Sequence, residues 1–241
     1  LVETYMNTRS YDAALKSIAK ISKPGPRIME AKQKILFRLG TQAFANARFA
    51  EALQYFNRSL EVGQYNSSVK ADTYYWRGEA NYRLENYRNA GQDLRRYLEL
   101  ANNKRSQEYG LALYSLGYTD FKQKNYGSAL NWFNRFVNGG MNDNRQVLAD
   151  AYNRMGDCNF YARNFDDARR SYDKAGQMDP ALGDYSLYQE GFVKGLQRDY
   201  SGKIQTLNQL IANYQQSQYI DDALYEQGRA FVQLEDNANA I

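Results

Sequence analysis

Six glycines recur along the chain at nearly constant spacing, and no other feature constrains its fold as much. Gly40, Gly78, Gly117, Gly156, Gly191 and Gly228 are separated by 38, 39, 39, 35 and 37 residues. Four residues before each stands an apolar or aromatic side chain: Leu36, Tyr74, Leu113, Tyr152, Leu187 and Leu224. Twelve residues after five of them comes alanine, at Ala52, Ala90, Ala129, Ala168 and Ala240. An aromatic precedes that alanine by three in the first four units (Phe49, Tyr87, Tyr126, Phe165), and Phe56, Leu94, Phe133 and Tyr172 follow it by four. A period in this range marks a stacked-repeat architecture, in which each unit buries its apolar face only against its neighbours. Val and Ile occur singly at helical spacing rather than in alternating runs, so almost nothing reads as strand. Glycine and alanine at fixed offsets let two helix backbones approach closely, and the aromatics fill the space between successive hairpins.

The pattern resembles the tetratricopeptide repeat, whose unit carries an aromatic, then Leu-Gly, then Tyr, with a later Ala and Phe and a closing Pro. Tyr152, Met155-Gly156, Phe165, Ala168, Tyr172, Ala175 and Asp179-Pro180 make the fullest single unit. The resemblance implies an all-α, right-handed superhelical solenoid of antiparallel helix hairpins. Five whole repeats are expected at about 30–64, 68–102, 107–141, 146–180 and 181–215, with partial ones at 1–23 and 218–241. In the fourth, helix A is predicted from about Asp143 to Arg163 and helix B from Phe165 to Met178, with Asn164 in the turn. Asn86, Asn125 and Asp199 hold equivalent turn places, where Asn and Asp tolerate turn conformations. Counting the period outward puts Leu1 inside a helix A and Ile241 just after a helix B begins, so the chain is expected to be one solenoid cut from a longer array. The fifth unit departs from the pattern: Lys203 replaces the alanine, and Gly195 stands where its neighbours have an aromatic. Less regular packing, and a bend, are expected there.

Composition excludes several chemistries. With no histidine there is no imidazole base, no Ser-His-Asp or Cys-His nucleophile and no HExxH zinc site. One cysteine leaves no intrachain disulfide and no Cys-rich metal centre. A net charge of +4 is too slight to imply nucleic acid, and the basic groups (Lys20 to Arg27, Arg95-Arg96, Arg169-Arg170) fall on different helices among acids. No apolar run approaches the ~18 residues of a membrane span. Gly139-Gly140 lacks a following Lys-Ser/Thr and reads as a helix end, not a phosphate loop. Asp166-Asp167 and Asp221-Asp222 read as acids complementing helix N-termini. Cys158 aligns with Ala80 and Ala230 at a small-residue packing position.

Binding is therefore sought on helix A, which lines the concave face of such solenoids. Three residues before each glycine lie Phe37, Tyr75, Tyr114, Asn153, Tyr188 and Tyr225, and four after it Phe44, Tyr82, Phe121, Phe160, Gly195 and Val232. The candidate partner groove comprises Phe37, Tyr75, Tyr82, Tyr114, Tyr118, Asn153, Arg154, Asp157, Tyr188 and Tyr225. Tyrosine offers rigid contact area with a polar tip; the competing reading of these aromatics is packing between helices. The Lys and Asn pair with which some relatives grip a peptide carboxylate is absent, the corresponding places holding Phe37 and Thr41, Tyr75 and Glu79, Tyr114 and Tyr118.

The expectation is a non-catalytic scaffold for a protein or peptide, with no cofactor and no metal. A helical-repeat nucleic-acid binder, or the regulatory or oligomerisation part of a larger enzyme or signalling protein, are the alternatives. Between Asp199 and Glu235, phrases such as Tyr219-Ile220-Asp221-Asp222-Ala223-Leu224-Tyr225 resemble longer-period repeats of bacterial envelope proteins, including outer-membrane assembly lipoproteins and the periplasmic partner of the Tol–Pal system. That resemblance implies a periplasmic or outer-membrane-associated scaffold, with the cytoplasm as the other location.

Overall fold

The computed structural model describes residues 10–63 and 65–240, so Leu1 and Ile241, and residues 1–9 of the expected 1–23 hairpin, lie outside them. Among the described residues, twelve α-helices and one 3-10 turn account for the regular structure, and no strand occurs. The helices fall into two compact units, Leu1–Gln123 and Lys124–Ile241.

In the first unit, α1 (Tyr11–Ala19) is followed by α2 (Pro26–Ala45) and α3 (Phe49–Val62), then α4 (Ser67–Arg83) and α5 (Tyr87–Leu100), then α6 (Gln107–Lys122). Helices α2 and α3 form one antiparallel hairpin, and α4 and α5 the next. In the second unit, α7 (Tyr126–Asn138) precedes the hairpin of α8 (Arg145–Tyr161) and α9 (Phe165–Met178). The 3-10 turn Pro180–Leu182 leads to the hairpin of α10 (Gly183–Leu196) and α11 (Tyr200–Asn213), and α12 (Ile220–Gln233) follows. Within each unit, each helix packs against its chain neighbour, the local stacking that makes a repeat protein.

The glycines and the residues sixteen places on form the hairpin cores. A Cβ on Gly40 would lie 2.6 Å from Phe56 Cδ1, one on Gly78 2.9 Å from Leu94 Cγ, one on Gly156 2.6 Å from Tyr172 Cδ1, and one on Gly191 2.8 Å from Leu207 Cδ2. Real Cβ atoms do not approach so closely, so glycine is required where helix A meets the large side chain of helix B. Ala52, Ala90 and Ala168, on the same B helices as Phe56, Leu94 and Tyr172, are wholly buried. Cys158, with Ala80 and Ala230 at the matching place, is buried as well, and burial pushes its thiol up to about 12.

Helix ends are set by two devices. Asn66, Ser106 and Asn144 cap the starts of α4, α6 and α8 by accepting from backbone N–H groups, as at Val69 N (2.9 Å), Tyr109 N (3.1 Å) and Gln146 N (3.0 Å). Helix α8 therefore starts at Arg145 rather than Asp143. The turns between helices A and B are Schellman closures: Arg163 N donates to Phe160 O (2.9 Å) and Asn164 N to Asn159 O (2.9 Å), with matching pairs at 47–48, 85–86, 198–199 and 235–236. The left-handed residue in them is not the Asn or Asp singled out by the sequence. Ala47, Glu85, Lys124, Arg163, Arg198 and Glu235 hold φ between 57° and 63°, while Asn86, Asn125 and Asn164 sit at φ from −77° to −84° as the first capping residue of helix B. Closing both Schellman hydrogen bonds fixes that φ whatever residue stands there.

The expected irregularity of the fifth unit is absent from its hairpin contact, since Gly191 meets Leu207 as the other glycines meet their partners. The two departures compensate one another. Gly195 leaves room for the stem of Lys203, to whose Cδ a Cβ would lie 2.9 Å, and the buried Lys203 ammonium pairs with buried Glu226. After α12, residues 237–239 form a turn.

Gly139 caps α7 and Gly140 turns at φ 62°, while Asp166-Asp167 and Asp221-Asp222 lie in the first turns of α9 and α12. No group of three or more metal-ligating side chains occurs among the described residues, and no helix there is long and apolar enough to cross a membrane.

Candidate partner groove

In the first unit, α2, α4 and α6 are the A helices, and α4 brings Tyr75, Glu79 and Tyr82 to successive turns of one face. Phe37 is half-buried and packs against Phe56, with ring centroids 6.3 Å apart. Tyr75 stands edge-on to Trp76 at 5.4 Å and tilted to Tyr97 at 5.2 Å. Tyr82 meets Tyr87 at 5.5 Å, and Tyr114 meets Tyr118 at 5.0 Å, both edge-on. Such edge contacts hold the rings in place while leaving part of each accessible. Burial, and then Glu79, push the Tyr75 hydroxyl well above the usual phenol range, so it is a neutral donor.

Between α2, α4, the end of α5 and the start of α6 lies a cavity of about 510 Å³. Phe37 and Tyr75 line it, as do four residues that sequence reasoning missed: Asp72, Trp76, Tyr97 and Glu108. Burial, and the nearby Glu108 carboxylate, raise the Asp72 carboxyl above the ordinary aspartate value. One signal for Tyr97 was present: it stands nineteen residues after Gly78, where the first and fourth units place the smaller Ser59 and Ala175. No comparable signal marked Asp72 or Glu108, because only the packing of three helices brings them to one place. Glu79 stands one turn along α4 from Tyr75. Burial raises its carboxyl, which accepts from Ser115 and feels Arg83, while Oε1 is buried without a hydrogen-bond partner.

The second unit treats its share of the predicted residues differently. Asn153 is buried on α8 and accepts from Ser186 Oγ at 2.9 Å. Asp157 is buried as well, its Oδ1 accepting from Tyr172 (2.8 Å) and Tyr185 (2.7 Å). Arg154 Nη1 lies 2.6 Å from Asp157 Oδ2, and the guanidinium sits 5.0 Å above the Tyr185 ring. Burial raises the Asp157 carboxyl, against the opposing pull of Arg154 and the two tyrosines. Tyr188 is stacked on Tyr219 at 5.2 Å and 13°. Tyr225 is the most open of the predicted residues, 67% exposed, with the Arg229 guanidinium 5.8 Å from its ring. The structure thus gathers Phe37 and Tyr75 around one cavity, pairs Tyr114 with Tyr118 and Arg154 with Asp157, and bonds Asn153 to Ser186.

The tetratricopeptide repeat family matches residues 37–105. No curated protein matches the sequence. Among solved structures, YrrB, described as a TPR protein with an unusual peptide-binding site, is 19% identical with a TM-score of 0.63 over 76% of this chain and 86% of its own. The C-terminal part of a TPR repeat-containing protein from Cytophaga hutchinsonii is 21% identical with a TM-score of 0.66 over 83% of this chain and 72% of its own. The apo form of RapI is 15% identical with a TM-score of 0.69, covering 96% of this chain and 68% of that one. These likenesses show the fold alone: residues 37–105 match the tetratricopeptide-repeat model, and the described residues are all-helical, with a fold like that of solved TPR proteins.

Proposed function

We propose that this chain is a non-catalytic scaffold that captures a protein or peptide segment along its A helices. The observation that carries the reading is the aromatic cavity of the first unit, where Phe37, Tyr75, Trp76 and Tyr97 surround about 510 Å³ of space. Rigid aromatic side chains around a concavity are what affinity for a peptide asks for, since they bury large area at low entropic cost. The match of residues 37–105 to the tetratricopeptide repeat supports it, as does the fold shared with a TPR protein described as having a peptide-binding site. No cofactor is invoked, because a groove of this kind works by contact alone.

A place in the assembly of a bacterial envelope complex, at the periplasmic side, is the finer form of this proposal and rests on the sequence phrase between Asp199 and Glu235. The test is a capture experiment with the triple variant Tyr75→Ala, Tyr114→Ala and Tyr118→Ala. Partner capture should fall while circular dichroism keeps its helical signal. Undiminished capture at unchanged helicity would remove the groove from the account.

A further inference from the structure

Charge, and not only shape, distinguishes the cavity of the first unit. Its charged lining consists of Asp72 and Glu108, with no lysine or arginine among the lining residues, in a protein whose net charge is +4. Neither carboxylate makes an ion pair among the described residues, and burial together with the Glu108 charge raises the Asp72 carboxyl. Tyr75 and Tyr97 present their rings to the same space, 5.2 Å apart, with Trp76 beside them. Along α4 from Tyr75, the buried Glu79 Oε1 lacks a hydrogen-bond partner, although Arg83 lies near that carboxyl.

Aromatic faces attract cations, and a carboxylate without a counter-ion in a half-dry site is stabilised by a group that brings charge and hydrogen-bond donors together. A guanidinium satisfies both requirements. Its plane stacks on tyrosine or tryptophan, and its fork donates to carboxylate oxygens in pairs, whereas an ammonium is a compact and more strongly hydrated point. A cavity of about 510 Å³ has room for one such side chain and its stem.

We propose that this cavity holds the guanidinium of an arginine in the bound segment, so that the groove of the first unit takes a basic peptide. The proposal rests on the scaffold reading above and adds the chemical class of the partner.

The probe is N-acetyl-arginine amide, titrated into the whole chain while the two tryptophan indole N–H signals are followed by NMR. Trp76 lines the cavity and Trp132 does not, so the Trp76 signal should move to saturation and the Trp132 signal stay still. N-acetyl-citrulline amide, of the same shape without the charge, should leave Trp76 unmoved. The variant Asp72→Asn with Glu108→Gln keeps side-chain volume and should bind the arginine amide about 10-fold more weakly at unchanged helicity. A still Trp76 signal, an equal response to citrulline, or full binding by the double variant would overturn the assignment. Tighter binding of spermidine than of the arginine amide would assign the site to a free polyamine and overturn the peptide occupant. Peptide display against the whole chain separates the two levels. Enriched peptides lacking a fixed arginine would sink this inference and leave the scaffold, while no enriched peptide beside a positive arginine titration would sink the scaffold and leave a cation site.

Discussion

Gly156 and Tyr172 face each other across the α8–α9 hairpin so closely that a Cβ on the glycine would fall 2.6 Å from the ring atom Cδ1. The same tyrosine donates its hydroxyl to Asp157 at 2.8 Å, so one ring both fills the hairpin and ties its two helices. Gly40, Gly78 and Gly191 repeat the steric half of this relationship with Phe56, Leu94 and Leu207, and only Tyr172 adds the polar half.

Gly156→Ala should destabilise the second unit by about 1–3 kcal/mol, the usual cost of overpacking a filled core. At ~2–4 °C per kcal/mol for a chain of this size, the thermal midpoint by circular dichroism should drop by several degrees. Gly127→Ala is the control. Nothing lies within 4 Å of its Cβ position, and helix α7 gains from alanine, so no loss is expected.

Glu226 is the buried partner of Lys203, and it also receives Arg229 Nη1 at 3.0 Å. Glu226→Leu should cost about 3–5 kcal/mol, because it leaves the Lys203 ammonium buried without compensation. Adding Lys203→Met should recover most of that loss in urea melts. Equal midpoints for the single and double variants would mean the pair is not coupled in the folded chain.

Alkaline stability follows from Tyr172 and Tyr185. Burial first, then the Asp157 charge, raise both phenols above their ordinary value of 10.0. Below pH 10 both states keep these protons and the two groups are silent. Above it the unfolded chain loses protons that the folded chain retains, so stability falls as pH rises, by about 1.4 kcal/mol per pH unit for each such tyrosine. Thermal midpoints measured from pH 9 to 11 should fall less steeply for Tyr172→Phe with Tyr185→Phe than for the parent chain.

Arg163 holds φ 61° in the turn between α8 and α9. A left-handed conformation costs a non-glycine residue ~1–2 kcal/mol, more than the ~0.5–1 kcal/mol that glycine loses in unfolded-state entropy. Arg163→Gly should therefore raise the thermal midpoint slightly, and Arg163→Val should lower it.

By itself the sequence determined the architecture, because a hairpin's requirements are local and recur. Gly156, Ala168 and Tyr172 sit at fixed offsets within one pair of helices, and the same offsets placed a helix at about Phe165 to Met178, where α9 runs. The offsets also placed Tyr75 and Phe37 on A helices, yet they carried no account of what stands opposite. Asn153 and Asp157 share register with Tyr75 and Glu79, but their surroundings differ: Ser186, Tyr172 and Tyr185 close over them through hydrogen bonds that span from 15 to 33 residues. Asp72 and Glu108 were illegible for the converse reason, since they come from two helices and share one cavity only after the helices pack. Periodicity records the contacts that every repeat makes. The charge of a cavity and the burial of a carboxylate arise from contacts made once, between residues far apart in the chain, and the tertiary structure alone decided those.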